Sequence, residues 1–238
     1  MKELLEPVLK QLPGYVPDLG KLVTRPKTSI ARWVGEEQGA LGKPLVFVAV
    51  SVAIGFLLQL PRVDKEQSLT TMIAAMAGFK VVALIVFAAV IQGLFRALGG
   101  NAKFAATLSA YLYAVSPLYV LLVLLDLATQ GVLRDYSTAF AASAAADPFL
   151  SANGAAWRDF EKARPDLALT YGVLTLSKVA VLLGWATACW GAFRELHGVS
   201  RWRSSVAGIA AFFAYYLLQF ALQLILRGMF GTALPALQ

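Results

Sequence analysis

Five stretches of about twenty apolar residues interrupt a chain of 238 residues, and nothing else constrains the fold as strongly. They run about Pro44–Leu60 (stopped by Pro61), Met72–Phe95, Phe104–Leu127, Leu167–Phe193 and Ser205–Leu226. A bilayer core of about 30 Å is crossed by roughly 20 residues of helix. In that solvent a helix satisfies its backbone polar groups within one segment. The stretches therefore predict an all-α integral membrane protein, a five-transmembrane-helix bundle.

Composition agrees. Hydrophobic residues make up 58% and charged residues 15%, where a soluble domain carries about 25% charged residues. A disordered, fibrous or ordinary cytosolic chain is excluded. Cys189 is the single cysteine, which excludes a disulfide framework, an iron–sulfur cluster and a multi-cysteine zinc site, and His197 is the single histidine, which argues against a histidine-based metal site or catalytic triad. No H-E-x-x-H, Walker or G-x-S-x-G motif appears. The chain reads as non-enzymatic, with no cofactor, no metal and no catalytic residue. His197 stands beside Glu195 in a turn and reads as a helix-end contact rather than a general base.

Residues 1–43 form an amphipathic cytoplasmic segment ahead of a membrane domain over 44–238, whose outer loop spans 128–166. Leu4, Leu5, Val8, Leu9 and Leu12 recur at helical spacing, and Ile30, Trp33 and Val34 follow Pro26. The plainer reading is two interfacial helices lying on the membrane surface. The sharper one is a docking segment for a soluble partner. No secretory signal precedes the first span.

Charge orients the bundle. Lys and Arg number seven, two and three on the side of the N-terminus, and two, four and one on the other. The positive-inside rule places the N-terminus in the cytoplasm and the C-terminus outside. The net charge of +7 then belongs to loops held against anionic headgroups, not to a nucleic-acid surface. Trp185, Trp190 and Trp202 are placed to form an aromatic belt.

Sliding the chain against itself by 98 residues superposes Gly93, Phe95, Arg96, Leu98 and Gly100 on Gly191, Phe193, Arg194, Leu196 and Gly198. Without a gap, Lys80 falls on Lys178. Spans two–three and four–five read as tandem parallel hairpins related by an axis along the membrane normal. Gly100 and Gly198 suit the left-handed residue that ends a helix. Arg96, Lys103, Arg194, Arg201 and Arg203 are expected to meet headgroup phosphates on the cytoplasmic side. The first span stays outside the two hairpins, to pack across both or to mediate a homo-oligomer.

Ionisable residues inside spans mark functional candidates. Lys80 and Lys178 lie about 24 Å from Arg96 and Arg194 along their helices. Either they snorkel outward, with Asp126 as a partner for Lys80, or they face the axis and attract an anion such as a lipid phosphate. Tyr171 and Thr175 share the stripe of Lys178 and complete this candidate site with Asp126. Ser109, Tyr113 and Ser116 share one stripe of span three, and Tyr216, Gln219 and Gln223 one of span five, as interhelical glue or a cavity lining. Pro117 is expected to kink span three.

The basic Gly-rich turn, Phe104 and the span with Tyr113, Ser116 and Pro117, then Arg194–Glu195–Leu196–His197–Gly198, with Leu22–Val23–Thr24–Arg25–Pro26 near the N-terminus, resemble the Yip family. These are five-span membrane proteins named for interaction with Rab-type GTPases. The resemblance runs from Leu22 to Leu226. It implies the same five-span topology and, for eukaryotic relatives, vesicle traffic. A long Gln/Pro-rich tail is missing, so the chain resembles the bacterial branch. That implies the inner membrane of a bacterium and no Rab-type partner.

Three functions follow: organisation of the bilayer or scaffolding of other membrane proteins; a transporter, channel or lipid-moving protein using Lys80 and Lys178; or an accessory subunit or assembly factor docked through its outer loop.

Overall fold

The computed structural model describes residues 14–36, 40–59, 69–133, 161–162 and 164–230, with side chains except at 69–80, 133, 219 and 222–230. The apolar stripe of residues 4–12, most of the outer loop and the side chains of Lys80, Gln219 and Gln223 lie outside the described residues.

Every regular element among the described residues is helical. Residues 14–24 form α1. Then come α2 (Pro26–Glu36), α3 (Gly42–Gln59), α4 (Leu69–Ala97), α5 (Phe104–Leu133), α6 (Pro165–His197) and α7 (Arg201–Phe230). Each apolar stretch falls on one of α3 to α7, the first over its described part, 44–59. At 33 residues α6 is the longest, about 50 Å. Its apolar stretch ends at Phe193, and Arg194–His197 project beyond. Among the described residues, three helices are long and apolar enough to cross a membrane: Gly42–Gln59, Phe104–Val132 and Pro165–His197.

The chain forms two compact units. One takes in the described residues up to Val123 with Leu182–Tyr215, and the other Leu124–Val181 with the residues from Tyr216. The first holds the main core, built from Leu22, Ile30, Trp33, Phe47, Phe95, Tyr113 and Phe193 among others. Tyr15, Trp33, Phe47 and Tyr113 form one aromatic cluster, with ring centroids 4.5 Å apart for Tyr15–Phe47 and 5.1 Å for Trp33–Tyr113. The first span is thus packed against α5. Farther along, a Cβ on Gly55 would come within 2.5 Å of the Tyr119 ring.

The N-terminal helices correct one expectation. The predicted apolar face of α2 exists, but Ile30, Trp33 and Val34 are buried in protein rather than laid on lipid. Pro26 suits the first helical turn, and Ser29 Oγ donates to the Lys21 carbonyl, folding α2 back on α1. Tyr15 and Ser51 share a hydroxyl hydrogen bond. Asp18 pairs with Lys21 and Lys43, and Lys27 with Glu195.

Helix α5 runs unbroken through Pro117. Proline leaves the carbonyl four residues earlier without its amide donor. On either side of that position, Ser116 Oγ donates to the Leu112 carbonyl and Trp185 Nε1 to the Ala114 carbonyl.

Candidate functional site

The turns after α4 and α6 are built alike. Gly99 and Gly198 have φ of 90° and 65°, conformations open to glycine without a Cβ penalty. Gly100 N donates to Phe95 O and Gly99 N to Arg96 O; Val199 N donates to Arg194 O and Gly198 N to Glu195 O. Both are Schellman caps. The left-handed residue of the first turn is therefore Gly99, not Gly100 as the 98-residue register implied. Gly100 is required for another reason. A Cβ there would lie 2.8 Å from His197 Nδ1 and 2.9 Å from the Phe95 carbonyl.

Each turn caps the other. The last carbonyl of the first turn, Leu98 O, accepts from the Arg203 guanidinium at 3.4 Å. Its counterpart, His197 O, accepts from Asn101 N at 3.3 Å. These carbonyls have no partner within their own helices, so the turns satisfy each other.

A buried chain of hydrogen bonds locks the junction. Gln92 Nε2 donates to the Ala102 carbonyl at 2.8 Å, which turns Gln92 Oε1 toward Thr107. Thr107 gives its one hydroxyl proton to Gln92 Oε1. It must then accept from His197 Nε2, 3.0 Å away. This fixes His197 as the Nε2–H tautomer and leaves Nδ1 as a bare, buried lone pair. The imidazole stacks on Phe95 with ring centroids 4.3 Å apart. Burial, then the nearby Arg96 cation, pulls its pKa down to about 4. His197 is thus a neutral donor. It contacts a helix end as expected, but that end belongs to the other hairpin, and Glu195 turns to Lys27.

Phe95 is surrounded by Trp190, Phe193 and His197. Trp190 Nε1 donates to Ser204 O. Trp185 and Trp190 are therefore interhelical bolts, half-buried, while Trp202 is 77% exposed.

Of the intramembrane candidates, the structure brings Lys178 and Asp126 together at 2.6 Å. Thr175 is exposed and Tyr171 half-buried. Ser109, Tyr113 and Ser116 all point inward, buried, whereas Tyr216 is exposed. Arg96, Lys103, Arg201 and Arg203 are exposed around the turns, and Arg194 is half-buried. Lys178→Met alone leaves a carboxylate unpaired. With the pair 26% and 35% exposed, the expected loss is about 2 kcal/mol, below that of a fully buried pair. The double variant Asp126→Leu/Lys178→Met should recover most of it. Thermal unfolding in detergent checks this, and a double variant as unstable as the single would refute the pair.

A family model for the Yip1 domain matches residues 20–223. The chain belongs to the Yip family. No curated protein and no solved structure matches it. The matched region holds both capped turns, the His197 network, all of α2 and the C-terminal part of α1 in this Yip family member.

Gln92 and Thr107 were not legible as site residues. Their signal in the sequence is slight: two polar side chains in apolar helices, bracketing the Gly-rich turn. Lys27 and Ser51 gave none, since their partners are distant in sequence.

Proposed function

We propose that this Yip family protein is a non-enzymatic organiser of its membrane, holding anionic lipid and neighbouring membrane proteins at its cytoplasmic face. All five helices α3 to α7 span the bilayer in this reading, with the N-terminus inside. One observation carries it. Lys103 starts α5, accepting at its carbonyl from Ala106 N and Thr107 N, and Arg201 and Arg203 start α7, with no acidic residue in either first turn. Cations at the positive end of a helix dipole are unfavourable for the helix. An anionic headgroup beside them answers both charges.

Phe95 and Phe193, equivalent under the 98-residue offset, stack 6.5 Å apart. Equivalent residues touch when they flank the axis relating their hairpins, which supports the parallel repeat. The Lys178–Asp126 pairing neutralises the Lys178 charge within the protein, so we read it as a structural pin rather than an anion site.

Protein extracted from native membranes in mild detergent should retain phosphatidylglycerol-type lipid over zwitterionic lipid. Lys103→Gln/Arg201→Gln should lower that lipid severalfold without lowering the unfolding temperature in detergent. Crosslinked native membranes should also yield other membrane proteins. Lipid retention indifferent to charge, together with recovery of the protein alone, would overturn the reading.

A further inference from the structure

We propose that residues 14–36 form a wedge seated in the cytoplasmic leaflet, and that it favours membranes whose cytoplasmic leaflet is expanded. The proposal rests on the reading above that the basic turns lie at the cytoplasmic interface.

The depth of the contacts carries it. Helix α3 begins at Gly42, so Phe47 lies about 7 Å and Ser51 about 13 Å along it. Helix α5 begins at Phe104, which puts Tyr113 about 13 Å along. These are the residues the N-terminal segment touches: Tyr15 meets Phe47 and bonds Ser51, and Trp33 meets Phe47 and Tyr113. Their side chains reach a level approaching half of a core about 30 Å thick. The charged contacts sit at the rim, Asp18 on Lys43 and Lys27 on Glu195.

Length confines the segment to one leaflet. Helix α2 has 11 residues, and α1 is described over 14–24. Each is about 16 Å long, too short to cross.

Exposure separates their roles. The outer face of α2 carries Arg32 and Glu36, exposed and paired with each other, as suits the water side of an interface. The outer face of α1 instead carries Val16 and Val23, 70% and 47% exposed. Val16 adjoins Tyr15, the deepest-reaching residue. A valine turned away from the protein at that level meets lipid tails.

Each helix occupies roughly 160 Å² of leaflet, from a diameter of about 10 Å. Inserting that area costs least where the leaflet is already stretched, which is why helices inserted in one leaflet respond to curvature. An ordinary amphipathic helix folds as it binds. This pair is already held by Tyr15–Ser51, Lys27–Glu195 and the buried Trp33, so the wedge is a fixed part of the protein.

The test uses full-length protein in phosphatidylcholine/phosphatidylglycerol vesicles, with nitroxide labels at Val16→Cys and, separately, Lys103→Cys. The Lys103 label should report headgroup depth, and the Val16 label should be oxygen-accessible and shielded from water-soluble nickel reagent. A Lys103 label away from the headgroups overturns the topology reading. A Lys103 label at the headgroups with a water-exposed Val16 label overturns the wedge and favours a soluble docking partner. In narrow tubes pulled from giant vesicles, molecules labelled on outward-facing N-termini should be enriched severalfold over the parent vesicle. Val16→Lys/Val23→Lys alters only the outward face. It should abolish that enrichment at an unchanged unfolding temperature in detergent. Equal sorting of this variant and the native protein would overturn the proposal.

Discussion

Acidification from pH 7 to pH 4 should destabilise the protein by about 3 kcal/mol through His197 alone. The folded protein holds this group near 4, against an ordinary value of 6.5. Between those values the unfolded chain binds the proton and the folded chain does not. Stability therefore rises with pH across that window, and a difference of this size corresponds to roughly 3 kcal/mol. The contribution is complete above pH 6.5 and is lost as pH falls toward 4. The cause is geometric. Protonation would place an N–H at Nδ1, where no acceptor faces it. Arg96 repels the added charge, Lys103, Arg194, Arg201 and Arg203 occupy the same turns, and the Glu195 carboxylate is engaged by Lys27.

His197→Gln keeps a donor for Thr107 but does not titrate. It should lower the unfolding temperature at pH 7 and remove most of the pH dependence between 6.5 and 4. Thermal unfolding in detergent across that range measures both. Asp18 is separable from this effect. Burial raises its pKa, but hydrogen bonds from Lys21 and Lys43 outweigh that and leave it below the usual carboxylate value. Its stabilising contribution is lost only at still lower pH. An unchanged pH profile in His197→Gln would refute the buried neutral donor.

Trp33→Ala should cost about 3 kcal/mol, the lower end for removing a buried indole. Trp33 is 3% exposed, packs on Phe47 and Tyr113 and lies under the Lys43 ammonium at 4.9 Å. The lower end applies because packing at membrane depth lacks much of the transfer term from water, and lost dispersion dominates. Trp202→Ala, at an exposed position, should change stability by less than about 0.5 kcal/mol. Unfolding temperatures in one detergent compare the two. A Trp33→Ala protein as stable as Trp202→Ala would show that α2 does not dock.

The positions of the helices were legible in the sequence. A run of about twenty apolar residues leaves the backbone no other means of satisfying itself in lipid, so each stretch reappears as a helix over its described residues. The turns were legible for a similar reason: a helix ending in a Gly-rich turn has few ways to cap its carbonyls. Partner choice was not legible. An apolar stripe such as Ile30, Trp33 and Val34 is satisfied equally by lipid tails and by protein, and spacing cannot tell which covers it. Asp126 was open to Lys80 or to no partner at all. Helix rotation and close approach across α5 and α6 bring it to Lys178. The bond from Thr107 to His197 joins residues 90 positions apart. No local propensity encodes such a pairing; it exists because packing brings two capped turns together and buries polar groups that then have only each other to bond.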